Sequence, residues 1–355
     1  MIAFDFAQLR LIGLQQAIAG AATQLDLSSP AAQLLRVSAV HRDGILVHDG
    51  HQEHPAQILP RLLHQLLQQN SVLTVGDWVG AEHDLHGTLW ITTRLSPGTQ
   101  IARRSNDGRR QVLASNVDTA LLVMGLDADF NPRRLERYLA IVLAAQVIPV
   151  VVLSKADVAD DVAGKLAQLK QRLPQHVPLF AIDTRHAYDV AILEPWLGAG
   201  QTLVLLGSSG AGKSSLTNTL CAARQATNVV RHGDGRGQHT TTARSLHLCS
   251  SGACIIDTPG LRSWQADADA DTLAATFDDI AQLASTCQFR DCRHASEPGC
   301  TVRGTVDADR LRNYHKLLRD ARRSEETPLE RIAARAKWKT ILKAGQERSK
   351  QKRNT

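Results

Sequence analysis

The chain has 355 residues, 43% of them apolar and 4% aromatic, which predicts a soluble globular protein of two or three domains. Its formal charge of +6 is unevenly placed: residues 303–355 carry 16 Lys/Arg against 7 Asp/Glu, a net of +9, leaving −3 on everything before them. A basic tail on a mildly acidic body predicts an anionic partner, nucleic acid above all, and no stretch reaches the roughly 20 unbroken apolar residues that a membrane span requires.

Residues 1–34 read as a short helical or loose leader ending at "SSP". Asp5 and Arg10 interrupt its apolar residues, which argues against a signal peptide and predicts a cytoplasmic protein. From 35 to 105 the pattern changes to short alternating segments, "RVSAVHRDGILVHDG", "SVLTVGDWVGAEHD" and "GTLWITTRLSP", set off by turn pairs such as Asp43-Gly44 and Asp49-Gly50. That spacing predicts a small β-barrel, with "RLLHQLLQQN" as a helical insertion. The barrel should close near Arg104, where "RRSNDGRRQ" forms a polar, basic link.

Over residues 106–265 the alternation lengthens. "TALLVMGLD", "IPVVVLS", "VPLFAID", "QTLVLLG" and "ACIID" read as strands, and "PRRLERYLAIVLAAQ", "DVAGKLAQLKQRL", "AYDVAILEPWL" and "KSSLTNTLCAA" as helices between them. Strand and helix in this order predict an α/β fold, a parallel sheet with helices on both faces and ligands at the carboxyl ends of its strands. The most apolar region, "YLAIVLAAQVIPVVVLS", is broken by Gln146 and Pro149 and reads as a helix running into a buried strand. Residues 266–355 contain an acidic helical segment, a Cys/His cluster and a basic helical tail, with Lys337, Trp338, Lys339 and Lys343 as candidate RNA contacts. Cys221, Cys249 and Cys254 lie in apolar stretches and read as ordinary buried thiols.

Between a strand and a helix, Gly207-Ser208-Ser209-Gly210-Ala211-Gly212-Lys213-Ser214 fits the phosphate-binding pattern G-x-x-x-x-G-K-[ST]. Its glycines let backbone N–H groups converge on phosphate oxygens at a helix N-terminus. Lys213 would reach the β/γ-phosphates, Ser214 would ligate Mg²⁺, and Ser215 would contact the α-phosphate. At another strand end, Ser154-Lys155-Ala156-Asp157 reads as a base reader. The Asp157 carboxylate can accept hydrogens from guanine N1 and the 2-amino group, neither of which adenine offers. The Lys155 stem would cover a face of the base.

After the cradle, Asp257-Thr258-Pro259-Gly260 ends a strand; Asp257 would hold Mg²⁺ through water and the Gly260 amide would sense the γ-phosphate. Between them, "GDGRGQHTTTAR" offers hydroxyls, Thr240, Thr241 and Thr242, that can order around Mg²⁺ and γ-phosphate. Spacing does not choose among the threonines. The base reader precedes the cradle, the reverse of an ordinary GTPase. Joining the ends of such a fold and reopening it after the base-reading half yields this order, and the segment after Asp257 then runs straight into the Cys/His module. There, Cys287, Cys292, His294 and Cys300 supply four N/S ligands, a set suited to one structural Zn²⁺ with no open position.

These residues resemble the ribosome small-subunit-dependent GTPase family, the circularly permuted GTPases of bacterial ribosome assembly. The likeness runs from about residue 35 to 320 and includes "GDWV", "NVD" at 116–118, "GSSGAGKSSL", "GRGQHTTTAR", "DTPG" and "CQFRDCRHASEPGC". It implies an oligonucleotide-binding (OB) barrel, a permuted P-loop GTPase centre and a small C-terminal zinc-binding helical domain. It also implies GTP hydrolysis stimulated by the small ribosomal subunit late in maturation. The partners implied are that subunit with its rRNA and GTP/GDP; separately, no membrane or DNA partner is expected, and the chain is expected to be a monomer.

Two features depart from the family pattern, and a third, shared with related permuted GTPases, bears on mechanism. Ser154 stands where the family carries Asn and is expected to be too short to tie the base reader to the phosphate loop. "AIDTRHA" replaces the usual second base-contacting loop. Leu261 stands where many GTPases orient water with Gln, so His239 becomes the candidate for positioning the attacking water. Unassisted turnover should then be about 10⁻⁴ to 10⁻³ per second, rising as much as about 10⁵-fold with the partner. The competing readings are an RNA- or ribosome-binding scaffold whose GTPase has decayed, and a kinase or ATPase using the same cradle.

Overall fold

In the computed structural model, residues 4–23, 32–41, 44–104, 110–221, 244–259, 265–266 and 270–325 are described. The described leader residues 4–23 form two helices that pack on the core. Asp5 caps α1 (Phe6–Arg10) by accepting from the N–H groups of Ala7 and Gln8, and α2 (Gln16–Thr23) follows. Leu9, Ile12 and Leu14 are buried in the same cluster as Leu122 and Val204 of the central sheet.

Five strands close a barrel: β1 (Gln33–Val40), β2 (Ile45–His48), β3 (Glu53–Ile58), then α3 (Pro60–Gln68), β4 (Trp78–His83) and β5 (Leu89–Arg94). They run in the order β1-β2-β3-β5-β4, with β4 pairing back on β1, the closed OB arrangement. Register shifts at Val37/Ala39 and at Gly80/Ala81 bend the strands enough for closure. Leu35, Val47, Leu62, Val79 and Ile91 fill the interior.

Where a linker was expected around Arg104, the chain forms a hairpin instead. β6 (Gln100–Arg104) pairs antiparallel with β7 (Arg110–Ser115), outside the barrel. The arginines that suggest a solvated link occupy the outer ends of both strands, while Ile101, Val112, Leu113 and Ala114 are buried.

The α/β unit then proceeds through β8 (Thr119–Gly125), α4 (Pro132–Ala144), β9 (Ile148–Ser154), α5 (Val162–Lys170), β10 (Leu179–Ala181), α6 (Ala187–Val190), β11 (Thr202–Leu206), α7 (Lys213–Cys221), β12 (Arg244–Leu248) and β13 (Cys254–Asp257). Its order is β10-β9-β8-β11-β13-β12, parallel through β13. Every residue of β8 and β11 is buried, as expected of central strands covered on both faces. β12 departs from the expected all-parallel sheet. It runs antiparallel to β13 and, on its other edge, pairs with β1 through Ala39↔Ser245 and Val40↔Arg244. Barrel and α/β unit therefore share one 11-stranded sheet.

Beyond it lie β14 (Gln265–Ala266), on the edge of β6, and helices α8 (Ala270–Thr276), α9 (Asp278–Ala284), α10 (Thr301–Thr305) and α11 (Ala308–Glu325). This module is locked to the α/β unit by Glu136 of α4, which is 1% exposed. Its carboxylate accepts from Arg172 Nε (2.8 Å), from Arg310 Nη1 (2.7 Å) and from the Asn313 amide. Arg310 also pairs with Asp279 at 2.6 Å and lies 4.7 Å over the Phe277 ring, so one guanidinium joins α4, α9 and α11. Arg133 pairs with Asp309 on the rim.

Candidate active site

The strand order reverses direction between β8 and β11, and the crevice at their carboxyl ends holds the phosphate loop. Gly207 passes so close to β8 that a Cβ would sit 2.3 Å from the Val123 carbonyl oxygen. Gly210 and Gly212 have φ of +79° and +91°, so the loop turns into α7 through left-handed positions. Lys213 opens that helix, only 7% exposed, and its ammonium donates to the carbonyls of Gly207 (3.0 Å) and Ser208 (2.8 Å). Burial pushes its pKa down to about 8, against the opposing fields of Asp257 and Asp129. A buried cation resting on backbone carbonyls is poised to exchange them for phosphate oxygens. Asp257 ends β13 at 0% exposure, and Thr258 donates to the Leu205 carbonyl at 2.6 Å, fixing the turn against β11.

The base reader meets this loop directly. Ser154, the last residue of β9, donates its hydroxyl to the carbonyl of Ala211 at 2.6 Å. The expectation that serine is too short for this tie is therefore corrected: the Ser154 Cβ and Oγ stand only 3.2 Å from where a Gly212 Cβ would be, so the two backbones approach closely enough for a short side chain. Lys155 takes a left-handed conformation (φ 62°) and pairs with Asp127 at 2.7 Å, and Asp157 follows in a 3-10 turn, Ala156–Val158. The motifs separated by about fifty residues of sequence are thus joined side to side, one hydrogen bond apart.

Several residues that the sequence reading did not assign to the site line the same crevice. "AIDTRHA" stands beside the base reader: Arg185 bridges Asp157 (2.6 Å) and Asp183 (2.8 Å), holding the Asp183 carboxyl below its usual range. The Thr184 carbonyl accepts from Thr219 of α7 at 2.8 Å. The Arg185 guanidinium presents to Asp157 the kind of N–H donors that guanine would bring. On the other side, Ser208 donates to Asp129 at 2.6 Å, and Arg134 steadies Asp129 at 2.5 Å. Acidic residues just after β8, in "LDADF", were the available signal for this second wall.

The second candidate centre lies in the C-terminal module. The ligand atoms of Cys287, Cys292, His294 and Cys300 all lie within 4.8 Å of one another. The Cys287 and Cys300 sulfurs are 4.0 Å apart, and His294 Nδ1 is 3.7 Å and 3.5 Å from them. Sulfurs about 2.3 Å from a tetrahedral ion lie roughly 3.8 Å apart, so the four residues fit one metal. Two features hold this geometry. His294 adopts φ 58°, and Cys300 caps α10 by accepting from the Arg303 N–H at 3.4 Å.

Comparison with known proteins bears on the same residues. The family model described as RsgA GTPase matches residues 95–267. The proteins named "Small ribosomal subunit biogenesis GTPase RsgA" of Xanthomonas axonopodis pv. citri (strain 306) and of Xanthomonas oryzae pv. oryzae (strain MAFF 311018) are each 42% identical over 313 residues, 86% of this chain and 85% of theirs. The chain belongs to the RsgA GTPase family. Its fold is similar to the crystal structure of YjeQ from Thermotoga maritima, with a TM-score of 0.58 at 22% identity over 82% of this chain and 98% of that one. YloQ, described as a circularly permuted GTPase, gives a TM-score of 0.55 at 21% identity over 83% and 97%. The inverted motif order of this chain is that of a circularly permuted GTPase fold.

Of the residues singled out in the sequence, Ser154, Lys155, Ala156, Asp157, the run 207–215 and Asp257 stand around one crevice. His239, Thr240, Thr241, Thr242, Gly260, Leu261 and the basic tail with Lys337, Trp338, Lys339 and Lys343 lie outside the described residues. Among the described residues, no helix is long and apolar enough to cross a membrane.

Proposed function

We propose that this RsgA-family chain hydrolyses GTP while docked on the small ribosomal subunit, and that it acts in that subunit's maturation. The observation that supports the reading is the Ser154–Ala211 hydrogen bond, which ties the strand end that leads into Asp157 to the phosphate loop. The names of its relatives supply the ribosomal context.

In this reading Asp157 accepts from guanine once Arg185 swings away, and Lys155 lies along the base. Amides of 207–212 and the N-terminus of α7 bind the phosphates, Ser215 contacts the α-phosphate, and Lys213 moves from carbonyls to phosphate oxygens. Ser214 and Asp257, with Thr240 or Thr241, would hold Mg²⁺, which when bound offsets the charge that builds on the phosphate oxygens. His239 orients the attacking water and the Gly260 amide senses the γ-phosphate. Zn²⁺ is the metal that suits the Cys₃His donor set, in a structural role. The barrel and basic tail supply salt-sensitive contacts to rRNA phosphates, and the protein works as a cytoplasmic monomer.

The test is GTP turnover with and without purified small subunits, with ATP as control. We expect slow turnover alone and strong stimulation by subunits, with His239→Ala losing most of the stimulation while keeping GTP affinity. Equal turnover of ATP and GTP, or no response to subunits, contradicts the reading.

A further inference from the structure

Cys221 and Cys249 are separated by 28 positions in sequence, yet their sulfurs stand 2.7 Å apart. Cys221 is the last residue of α7 and is partly exposed. Cys249 follows β12 and is 7% exposed, packed in the cluster that includes Leu216 and Ile255. The backbone of Cys249 is fixed by the β12–β13 turn, its N–H donating to Ala253 at 2.9 Å and its carbonyl accepting from Gly252 at 3.0 Å. Neither sulfur belongs to the Cys₃His cluster, and neither takes part in the nucleotide chemistry above. One reachable thiol in contact with one shielded thiol is the arrangement of an attacked and a resolving cysteine.

We propose that Cys221 and Cys249 are a redox modification site, a dithiol that a peroxide converts reversibly to a disulfide tying α7 to the β12–β13 hairpin. In the first step the Cys221 thiolate attacks the peroxide, the O–O bond breaks, and Cys221 becomes a sulfenic acid as hydroxide leaves. In the second, Cys249 attacks that sulfur and displaces a second hydroxide as the S–S bond forms. Two electrons pass from the sulfurs to the peroxide, and the two thiol protons leave in two waters. The order follows from the environment. The hydrogen bond to Cys221, with burial added, holds the Cys249 proton well above the usual thiol range, so the oxidant meets the pair at Cys221. In a reducing compartment such a bond is transient and signals oxidation rather than serving as a permanent staple. It would join the helix that opens with Lys213 to the hairpin that ends with Asp257, closing a covalent ring over residues 221–249.

The experiment uses the full chain with its metal bound. The protein is exposed to a few equivalents of hydrogen peroxide, blocked with iodoacetamide, digested without reduction and mapped by mass spectrometry, with metal release followed by a chromogenic chelator. The expected result is a linked peptide joining Cys221 to Cys249, loss of both free thiols before metal is released, and full recovery with dithiothreitol. Cys221→Ser should abolish the link, although the wild-type map stands without it should that variant fold poorly. Recovery of Cys249 as a free thiol beside Cys221 driven to sulfinic acid would overturn the proposal. So would oxidation of the metal cluster while the pair stays reduced.

Discussion

Lys213 shows what burial does to a lysine at the start of a helix. Its charge is costly in a nearly closed site, which lowers its pKa to about 8. Phosphate favours the charged form, so nucleotide binding must restore the proton wherever the empty site has lost it. Affinity for GDP should be level below about pH 7 and fall as pH rises through 8, approaching tenfold per unit. Calorimetry in buffers of different ionisation heat should record proton uptake near pH 8 and little at pH 6.5. A flat profile between pH 6.5 and 9 would mean that Lys213 keeps its proton in the empty site, against the lowering by burial. Ser154 makes a different point at the same scale. Its hydroxyl makes one buried hydrogen bond of 2.6 Å to the phosphate loop. Ser154→Ala leaves the Ala211 carbonyl without this donor and should weaken GDP by about 1–2 kcal/mol, roughly five- to thirty-fold. Ser154→Asn, which restores the longer family side chain, should not improve on wild type if serine already makes the tie. Side-chain length alone suggested otherwise, because the separation of β9 from the loop cannot be read from the motif.

At the scale of elements, the network around Glu136 decides whether the metal module stays seated on the α/β unit. Glu136→Ala takes from Arg172 and Arg310, both nearly buried, the carboxylate they share and leaves them only Asp309 and Asp279 at the rim; loss of a partner from a buried ion pair costs up to about 3–5 kcal/mol. Chemical denaturation should show that loss, or a separate early transition of the C-terminal module. An unchanged midpoint would contradict the assignment. Asp309, on the rim of the same network, has its pKa lowered to about 2, chiefly by its hydrogen bond to Arg133. A carboxylate lowered in the folded state adds stability above its unfolded value, near 4, and loses it as pH falls towards 2. Asp309→Asn should therefore reduce stability at pH 7 and flatten its decline between pH 4 and 2.

Elements also mark where sequence reading stops. Strands that are buried on both faces, β8, β9 and β11, announce themselves as apolar runs. β12 does not, because its five residues "RSLHL" alternate and are half exposed. The turn "CSSGA" after it was the available signal. The β6–β7 hairpin was hidden by its own arginines, although Asp107-Gly108 between them is a hairpin signal.

Across the whole molecule, β12 has a consequence that its length does not suggest. It pairs with β13, which ends at Asp257, and with β1 of the barrel, so the barrel and the nucleotide crevice are hydrogen-bonded parts of one sheet. On the other side, the Glu136 network joins the metal module to α4, whose preceding loop carries Asp129 against Ser208. Both flanking modules are thus attached to elements that border the phosphate loop. Motif spacing could single out the Ser154–Asp157 turn, the glycine-rich loop and the Cys/His cluster, since each is a local pattern. It could not show Arg185 on Asp157 or Cys221 on Cys249, since these contacts depend on how distant strands end in space.

The central claim is that Asp157 and Lys213 hold opposite ends of one guanine nucleotide across the Ser154–Ala211 seam. Isothermal titration of GDP and ADP into wild type and Asp157→Ala addresses it most directly. The account predicts one GDP per chain, at least about 100-fold weaker ADP binding, and collapse of that preference when Asp157 loses its carboxylate. Equal binding of GDP and ADP by the wild type, or a preference for GDP that survives in Asp157→Ala, would contradict it.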